Sequence, residues 1–296
     1  MMKTKTYIPA PVHGMCGGVF AALRTLDEFA SAHAEVYVFR ELVHNRAVTA
    51  DLAARGVRFV DRPEDIPDGA AVVIGAHGVG ADLERELRRK AAVCRDATCP
   101  LVKKLHRIAA ALTPEEQLII CGKSGHPEVR GIAGNSGTPA VFILGSVAEA
   151  DALPELSRPV FLSQTTVDHT EAEAVLAALK RRFPQLKEHS GVCDASRKRQ
   201  EAVLKLAEQC DLVLVIGSPH SSNARRLQEI AARKGAESFL IDSAAELPLS
   251  ALDRASAVGV TSGASTPEHL FAAVTDALER LGFSCAGAGA SGRPNT

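Results

Sequence analysis

The chain has 296 residues, 46% of them apolar and 23% charged, with a formal net charge of −1, no Trp and 4% aromatics. This is the composition of a globular protein that can bury a core and divide into two or three domains. Near-neutrality and few aromatic rings exclude a nucleic-acid-binding or anionic-membrane surface and a base-stacking platform. The longest apolar runs, such as "LVLVIG" (Leu212–Gly217), are too short to span a bilayer, and no apolar stretch follows Lys3 and Lys5, so the expectation is a cytoplasmic protein.

In chain order, "VHGMCGGV" (Val12–Val19) passes from an extended segment toward a helix at a cysteine set among glycines. Strands are then expected at Glu35–Phe39 and Ala70–Ala76, followed by a helix over Ala81–Ala92. Further strands are Gln117–Cys121, Ala140–Leu144 and Pro159–Ser163, and further helices His169–Phe183 and Ser196–Gln209. Strand Leu212–Gly217, helix Ser222–Gly235, strands Ser238–Asp242 and Ala257–Ser262, and helix Pro267–Gly282 complete the body. Strands alternating with helices of this length argue for βαβ units and parallel sheets. "AGAGASGRPNT" (Ala286–Thr296) reads as a disordered tail; its G-x-G-x-x-G at Gly287, Gly289 and Gly292 has no strand before it and no helix after it, so it is no dinucleotide site.

Seven dispersed cysteines suit thiols or metal ligands better than a disulfide framework. Cys16, Cys99 and Cys193 each stand just before a helix start, where free N–H groups and the helix dipole favour a thiolate. Their separations of 83 and 94 residues hint at three similar modules that each lend one thiol to a shared centre. The bland alternative, incidental loop thiols, stays open, because such long intervals carry no spacing signature. Cys94, Cys121, Cys210 and Cys285 read as structural; the C-x4-C of Cys94 and Cys99 meets Val102 where a ferredoxin pattern needs a third cysteine. A Walker A loop around "GKS" fails at Gln117, where glycine is required.

Polar loops follow strand after strand, and in parallel α/β sheets ligands bind at the carboxyl ends of strands. "ELVHNR" offers His44, "GAHGVG" offers His77, and "SGHPEVRG" places His126 two residues from Glu128, a candidate proton donor. "SQTT" supplies Thr165, while "SSN" (Ser221, Ser222, Asn223) and "GAST" (Ser265) supply hydroxyls, an amide and helix N-termini suited to phosphate. Each taken alone is as well explained by a solvated loop or an N-cap. Together they point to a three-thiolate metal centre beside a pocket for a small anionic ligand.

"GMCGGV", "ELVHNR", "AHGV", "DATCPLV", "GHPEV", "SQTT", "RQEAV", "GSPHSSNARRL" and "GVTSGASTPE" follow one another in the order seen in the LytB family of 4-hydroxy-3-methylbut-2-enyl diphosphate reductases, which the chain resembles from Tyr7 to Leu281. The resemblance implies three small α/β domains with mainly parallel sheets in pseudo-threefold arrangement around an iron–sulfur cluster. Their expected spans are 12–98, 99–192 and 193–284, with 1–11 packing on the third and 285–296 as tail. It implies a [4Fe–4S] cluster on Cys16, Cys99 and Cys193, with one iron left open for the hydroxyl of an allylic diphosphate. It assigns diphosphate binding to His44, His77, His126, Ser221, Ser222, Asn223 and Ser265, proton delivery to Glu128, and a place near the substrate hydroxyl to Thr165. The reaction implied is the reductive dehydroxylation that ends the methylerythritol phosphate route to isoprenoids, with electrons from a ferredoxin or flavodoxin-type donor.

The chain departs from the family pattern at Phe20 and Ala21 (commonly an acidic or polar residue and Arg), Lys103 (Thr), Arg130 (Glu), Asp194, Ser196 (Thr) and Ala224 (Ser). None removes a cluster ligand or the proton donor. Two rivals stand beside the reductase reading: a paralogue acting on another allylic substrate, and a non-catalytic zinc or redox-sensing protein using the same thiols.

Overall fold

A computed structural model describes residues 5–189 and 191–286. The chain forms two compact units, one from Cys16–Arg197, the other from the described residues up to Met15 together with those from Lys198 onward. The first strand, β1 (Thr6–Pro9), belongs to the latter.

The Cys16–Arg197 unit opens with α1 (Gly17–Ala30), β2 (Val36–Phe39), α2 (Arg46–Ala54), β3 (Val57–Val60), β4 (Ala71–Ile74), α3 (Ala81–Lys90) and β5 (Val93–Asp96). It continues with α4 (Pro100–Ala110), β6 (Gln117–Cys121), α5 (Pro127–Gly134), β7 (Val141–Leu144), α6 (Val147–Asp151), β8 (Pro159–Ser163), α7 (His169–Arg182) and β9 (Lys187–His189). Two four-stranded sheets result, ordered β3-β2-β4-β5 and β7-β6-β8-β9, and every pairing is parallel. The central strands are apolar at nearly every position, Gln117 and Ser163 at strand ends apart, because both sheet faces are covered. Ile119, Cys121 and Phe161 pack under Val175 and Leu179 of α7 and Phe183 just beyond it, while the alternate residues Leu118, Ile120 and Leu162 pack with Leu105 of α4 and Val129 and Ile132 of α5. The period of two along a strand thus fixes which helix covers which face.

The other unit adds β10 (Leu212–Ile216), α9 (Ser222–Arg233), β11 (Glu237–Ile241), α10 (Leu249–Arg254), β12 (Ala257–Ser262), α11 (Glu268–Arg280) and β13 (Ser284–Cys285) in a parallel sheet ordered β11-β10-β12-β1-β13. Helix α8 spans Asp194–Gln209. Leu212, Leu214 and Ile216 join Val258, Val260 and Phe271 in one core, and Val213 and Val215 join Ala224, Leu227 and Val203 on the opposite face.

The parallel sheets expected from the alternating pattern are present, and there are three of them, as the family resemblance implied. The strands that the pattern missed, Thr6–Pro9, Val57–Val60, Val93–Asp96, Lys187–His189 and Ser284–Cys285, are short, and most lie at sheet edges, where burial writes no continuous apolar run. Cys285 is a correction: expected in the tail, it pairs with Tyr7 in β13. The expected tail from Gly287 onward, with its three glycines, lies outside the described residues. Among the described residues no helix is long and apolar enough to cross a membrane.

Candidate functional site

All three singled-out cysteines fall within Cys16–Arg197 and all are partly exposed free thiols. Cys16 is the N-cap of α1, Cys99 that of α4, with Pro100 as the first helical residue, and Cys193 directly precedes the helix at Asp194. Proline at that position forfeits only an N–H that would have had no helical partner. Burial pushes the Cys99 thiol's pKa up, opposed by the N–H groups of Leu101 and Val102, while the thiols of Cys16 and Cys193 lie near enough to raise it further.

One of the glycines around Cys16, Gly18, has a steric reason. A Cβ on Gly18 would stand 2.7 Å from Cys99 Sγ and 3.9 Å from Cys16 Sγ, so only glycine lets the start of α1 approach the second sulfur. Cys193 is laid down the same way. A Cβ on Gly191 would meet the Ser163 carbonyl oxygen at 1.8 Å, the Gly191 N–H donates to Ser163 Oγ (2.9 Å), and the Cys193 N–H donates to the Thr165 carbonyl (3.2 Å). Ser196, 1% exposed, brings its Oγ to 3.1 Å and its backbone N to 3.3 Å from Cys193 Sγ. Three thiols at helix N-termini, two of them held by glycine-only approaches, fit thiolate ligation of a metal centre.

Glu128 sits in the first turn of α5 and is 1% exposed. Its Oε1 accepts the Thr165 N–H at 2.7 Å and its Oε2 faces the Thr165 hydroxyl at 2.9 Å. Burial pushes its pKa up to about 7 even though both Thr165 contacts favour the carboxylate. A carboxyl poised there holds or gives up a proton near neutrality, which is what general acid chemistry needs. Thr165 therefore touches the acid through its side chain and N–H, and Cys193 through its carbonyl.

His44, His77 and His126 come together in the same unit, their ring nitrogens within 4.8 Å of one another. His44 and His77 stack at 4.1 Å between centroids, and His126 meets both edge-on at 5.7 and 5.6 Å. Burial and the neighbouring rings hold the pKa of His77 well below the usual histidine range and that of His126 down to about 4. Such a triad could suit a metal, but the tautomers decide otherwise. His126 Nδ1 accepts the Glu128 backbone N–H at 3.1 Å, which leaves the ring proton on Nε2, and that buried atom has no protein partner. A buried N–H has no lone pair for a cation and is able to donate to an anionic oxygen. His44 is aimed by Glu41, whose Oε2 lies 2.7 Å from His44 Nδ1.

The His77 loop and α5 are in unusually close contact. Gly78 has a φ of +66°, and a Cβ there would lie 2.6 Å from the His106 ring; a Cβ on Gly131 would lie 2.8 Å from the same ring. Gly80 and Gly134 touch backbone to backbone, and Asn135 Nδ2 donates to the carbonyls of Val79 (2.9 Å) and Gly131 (2.7 Å).

In the other unit, Ser221 caps α9, its Oγ accepting the Ala224 N–H at 3.3 Å, and Asn223 Oδ1 accepts the Ala264 N–H at 3.0 Å, beside the loop of Ser265. Ser221, Asn223 and Ser265 are buried, and Ser222 partly exposed. Ala224, where serine is common in the family, packs between Gly217 and Gly263, either of which would place a Cβ within 3 Å of its methyl group. Lys103 pairs with Asp96 at 2.7 Å and Asp194 with Arg197 at 3.2 Å.

Three residues of the site were not singled out from the sequence. Glu41 aims His44; Gln164, buried, accepts the Lys123 N–H (3.1 Å) and donates to Thr166 Oγ (2.8 Å); His106 lies under two glycines. The "SQTT" loop held a signal for Gln164, since a buried amide after a strand needs partners; the other two carry none.

Sheets that gather a carboxyl, imidazoles and thiols just past the carboxyl ends of parallel strands have the architecture of an α/β enzyme. The chain belongs to the LytB protein family, whose model matches residues 8–279. It is 39% identical over 279 residues, 92% of this chain and 89% of the relative, to the 4-hydroxy-3-methylbut-2-enyl diphosphate reductase of Actinobacillus pleuropneumoniae serotype 5b (strain L20). The structure of the E-1-hydroxy-2-methyl-but-2-enyl-4-diphosphate reductase from Plasmodium falciparum superposes with a TM-score of 0.91 at 27% identity, covering 97% of this chain and 94% of that one. A second solved structure, described as (E)-4-hydroxy-3-methyl-but-2-enyl diphosphate reductase, the terminal enzyme of the non-mevalonate pathway, matches with a TM-score of 0.65 at 28% identity over 93% of this chain and 99% of that one.

Proposed function

We propose that this protein is a 4-hydroxy-3-methylbut-2-enyl diphosphate reductase, removing the allylic hydroxyl of its substrate to give isopentenyl and dimethylallyl diphosphates. The balance is two electrons and two protons in, one water out, with the C–O bond broken and a C–H bond made. The observation that carries this reading is the contact of Glu128 with Thr165, whose own carbonyl receives the Cys193 N–H: a buried acid of pKa about 7 held beside a thiol centre.

Cys16, Cys99 and Cys193 are the ligands proposed for a [4Fe–4S] cluster, and the donor set fits: three thiols, none in a disulfide, at helix N-termini that favour thiolates. When bound, the cluster supplies electrons and an iron with no protein ligand as Lewis acid for the hydroxyl. Glu128 then holds the proton, at Oε1 or Oε2, that converts the departing hydroxide to water. Thr165 orients that carboxyl and offers its hydroxyl to the substrate oxygen. His126 Nε2–H meets a diphosphate oxygen, with His44 and His77 beside it, and Ser221, Ser222, Asn223 and Ser265 serve as further diphosphate ligands.

The three-domain division at 12–98, 99–192 and 193–284 is supported by each sheet's drawing its strands from one stretch, with β1 added to the last. An oxygen-sensitive centre of this kind belongs in the reducing cytoplasm, and its electrons come from a ferredoxin or flavodoxin-type donor.

The test is anaerobic preparation, iron and sulfide analysis, and turnover of the allylic diphosphate with dithionite-reduced viologen. About four irons and four sulfides per chain with formation of both products is the expected result. Stoichiometric zinc without sulfide would make the protein a zinc or redox sensor. An intact cluster that turns over only another allylic alcohol would make it a paralogue of different specificity.

A further inference from the structure

Two arginines stand beside the histidine triad and have no part in the reaction proposed above. Arg40 is the first residue beyond β2, where Phe39 pairs with Val60 on one side and Ile74 on the other, and its N–H donates to the Val60 carbonyl at 2.6 Å. Among the described residues it is the one non-glycine at positive φ, +62°. A long side chain seldom takes that left-handed backbone, and residues that do so gather at functional sites. The residues after Arg40 pack against the His77 loop. A Cβ on Gly75 would meet the Glu41 carbonyl oxygen at 2.5 Å, and the Ala76 N–H donates to the Leu42 carbonyl at 2.9 Å. Arg130 comes from α5, one turn beyond His126, whose carbonyl accepts the Arg130 N–H at 2.9 Å.

The two guanidinium groups bear on one another. Burial and the Arg130 charge hold the pKa of Arg40 below its ordinary value, against the opposing pull of Asp61. Arg40 in turn adds to the burial and the neighbouring rings that lower the pKa of His77. Neither arginine has a carboxylate within 4.0 Å among the described residues. Arg130 also stands where glutamate is common in the family: an acid there would offset Arg40, whereas a second cation adds to it. His77 and His126, with their lowered pKa values, offer hydrogen bonds near neutrality but no charge. Guanidinium groups keep their charge and match phosphate oxygens two at a time. Two of them held near each other without an acid are at ease only with an anion between them.

We infer that Arg40 and Arg130 form an anion site at the edge of the histidine triad, taking a dianionic phosphate group whose oxygens the two guanidinium groups share. No bond is made or broken there; the guest is held by charge and hydrogen bonds. Free inorganic phosphate and the outer phosphate of an allylic diphosphate present the same oxygens, and the second source rests on the proposed reductase reading. The site is a property of this chain, because it needs the arginine that replaces the family's glutamate.

The experiment uses the cluster-loaded protein, with inorganic phosphate as probe and no substrate present. Calorimetry at low and high salt gives Kd for wild type and for Arg40→Asn, Arg130→Glu and His126→Leu. Asparagine tolerates the left-handed backbone of position 40, and position 130 is exposed, so melting temperature and iron content should hold in both arginine variants. Wild type should bind phosphate with a Kd that rises with salt. That Kd should rise about 10-fold in each arginine variant and stay within about 2-fold in His126→Leu. Steady-state turnover separates the two sources. Competition by phosphate, with the KM for the allylic diphosphate raised in both arginine variants and kcat unchanged, makes the guest the substrate's outer phosphate. Non-competitive phosphate with an unchanged KM makes it free phosphate, and either result keeps the site. No phosphate binding by wild type, or a Kd unchanged in both arginine variants, overturns the inference. Binding lost in His126→Leu alone would put the phosphate on the imidazoles and overturn it as well. A wild type that binds phosphate through the arginines but turns over no allylic diphosphate would sink the reductase reading and leave the site standing.

Discussion

Both carboxyl oxygens of Glu128 are held by a single residue, Thr165, through its N–H at 2.7 Å and its hydroxyl at 2.9 Å. These contacts pull the pKa down, yet burial wins and leaves it at about 7. Glu128→Gln keeps the shape and most of the contacts but cannot release a proton. Turnover should fall by ~10²-fold or more, the usual cost of losing a general acid, with iron content near wild type. Normal turnover of the variant with a viologen reductant would mean that the proton comes from another group.

The same carboxyl makes stability depend on pH. Its folded pKa, about 7, is raised above the ordinary 4.5, so the folded state binds the proton more tightly than the unfolded one. Its favourable contribution is complete below the unfolded value and is lost as pH rises through the folded value. Above pH 8 the ionised, buried group costs roughly 3 kcal/mol relative to its protonated form. In thermal melts of the cluster-free protein, the advantage of Glu128→Gln over wild type should therefore grow between pH 5 and pH 8. A constant difference across that range would show that Glu128 titrates normally.

Cys16→Ser, Cys99→Ser and Cys193→Ser should each cripple cluster retention, whereas Ser at Cys94, Cys121, Cys210 or Cys285 should leave iron content intact. Gly18→Ala extends the test to a position that carries no ligand. Its methyl group would sit 2.7 Å from Cys99 Sγ, so iron binding should drop although all three thiols remain. Full iron loading in Gly18→Ala would mean that the start of α1 is free to move away from Cys99.

Ser196 should set how easily the centre accepts electrons. The free Cys193 thiol donates to Ser196 Oγ; once the sulfur is a thiolate ligand the hydroxyl donates to it instead. A donor to a ligand sulfur stabilises the more negative, reduced state, so Ser196→Ala should lower the midpoint potential and Ser196→Thr should restore it. Spectroelectrochemical titration of the three loaded proteins reads this directly; equal potentials would assign the hydroxyl to packing alone.

Inorganic diphosphate should inhibit competitively, with its inhibition constant rising about 10-fold in His126→Leu, because a charge-assisted hydrogen bond from Nε2 is lost. An unchanged constant would remove His126 from the anion site.

Much of this was legible because burial writes itself into sequence. Leu118–Cys121 and Leu212–Ile216 are apolar throughout since both faces of their sheets are covered, and their helices repeat at the helical period. Edge strands such as Val93–Asp96 are exposed at alternate residues and looked like loop. Cys16, Cys99 and Cys193 were picked out by their place before helix starts, a local property. What the sequence could not disclose was contact between distant segments: Gly191 on Ser163, the shared grip of Thr165 on Glu128, or the His126 tautomer, each of which depends on two loops meeting in space.

The glycine seam between the His77 loop and α5 has a mechanical outcome. Gly78 and Gly131 close on the His106 imidazole, Gly80 and Gly134 touch, and Asn135 staples both segments. The His77 ring, proposed to bind the anion, and the Glu128 carboxyl, proposed to carry the proton, thus stand on segments packed backbone to backbone. A bulkier residue anywhere along the seam would misalign both together, so damage at these glycines should surface as a loss of affinity and a loss of rate in the same variant.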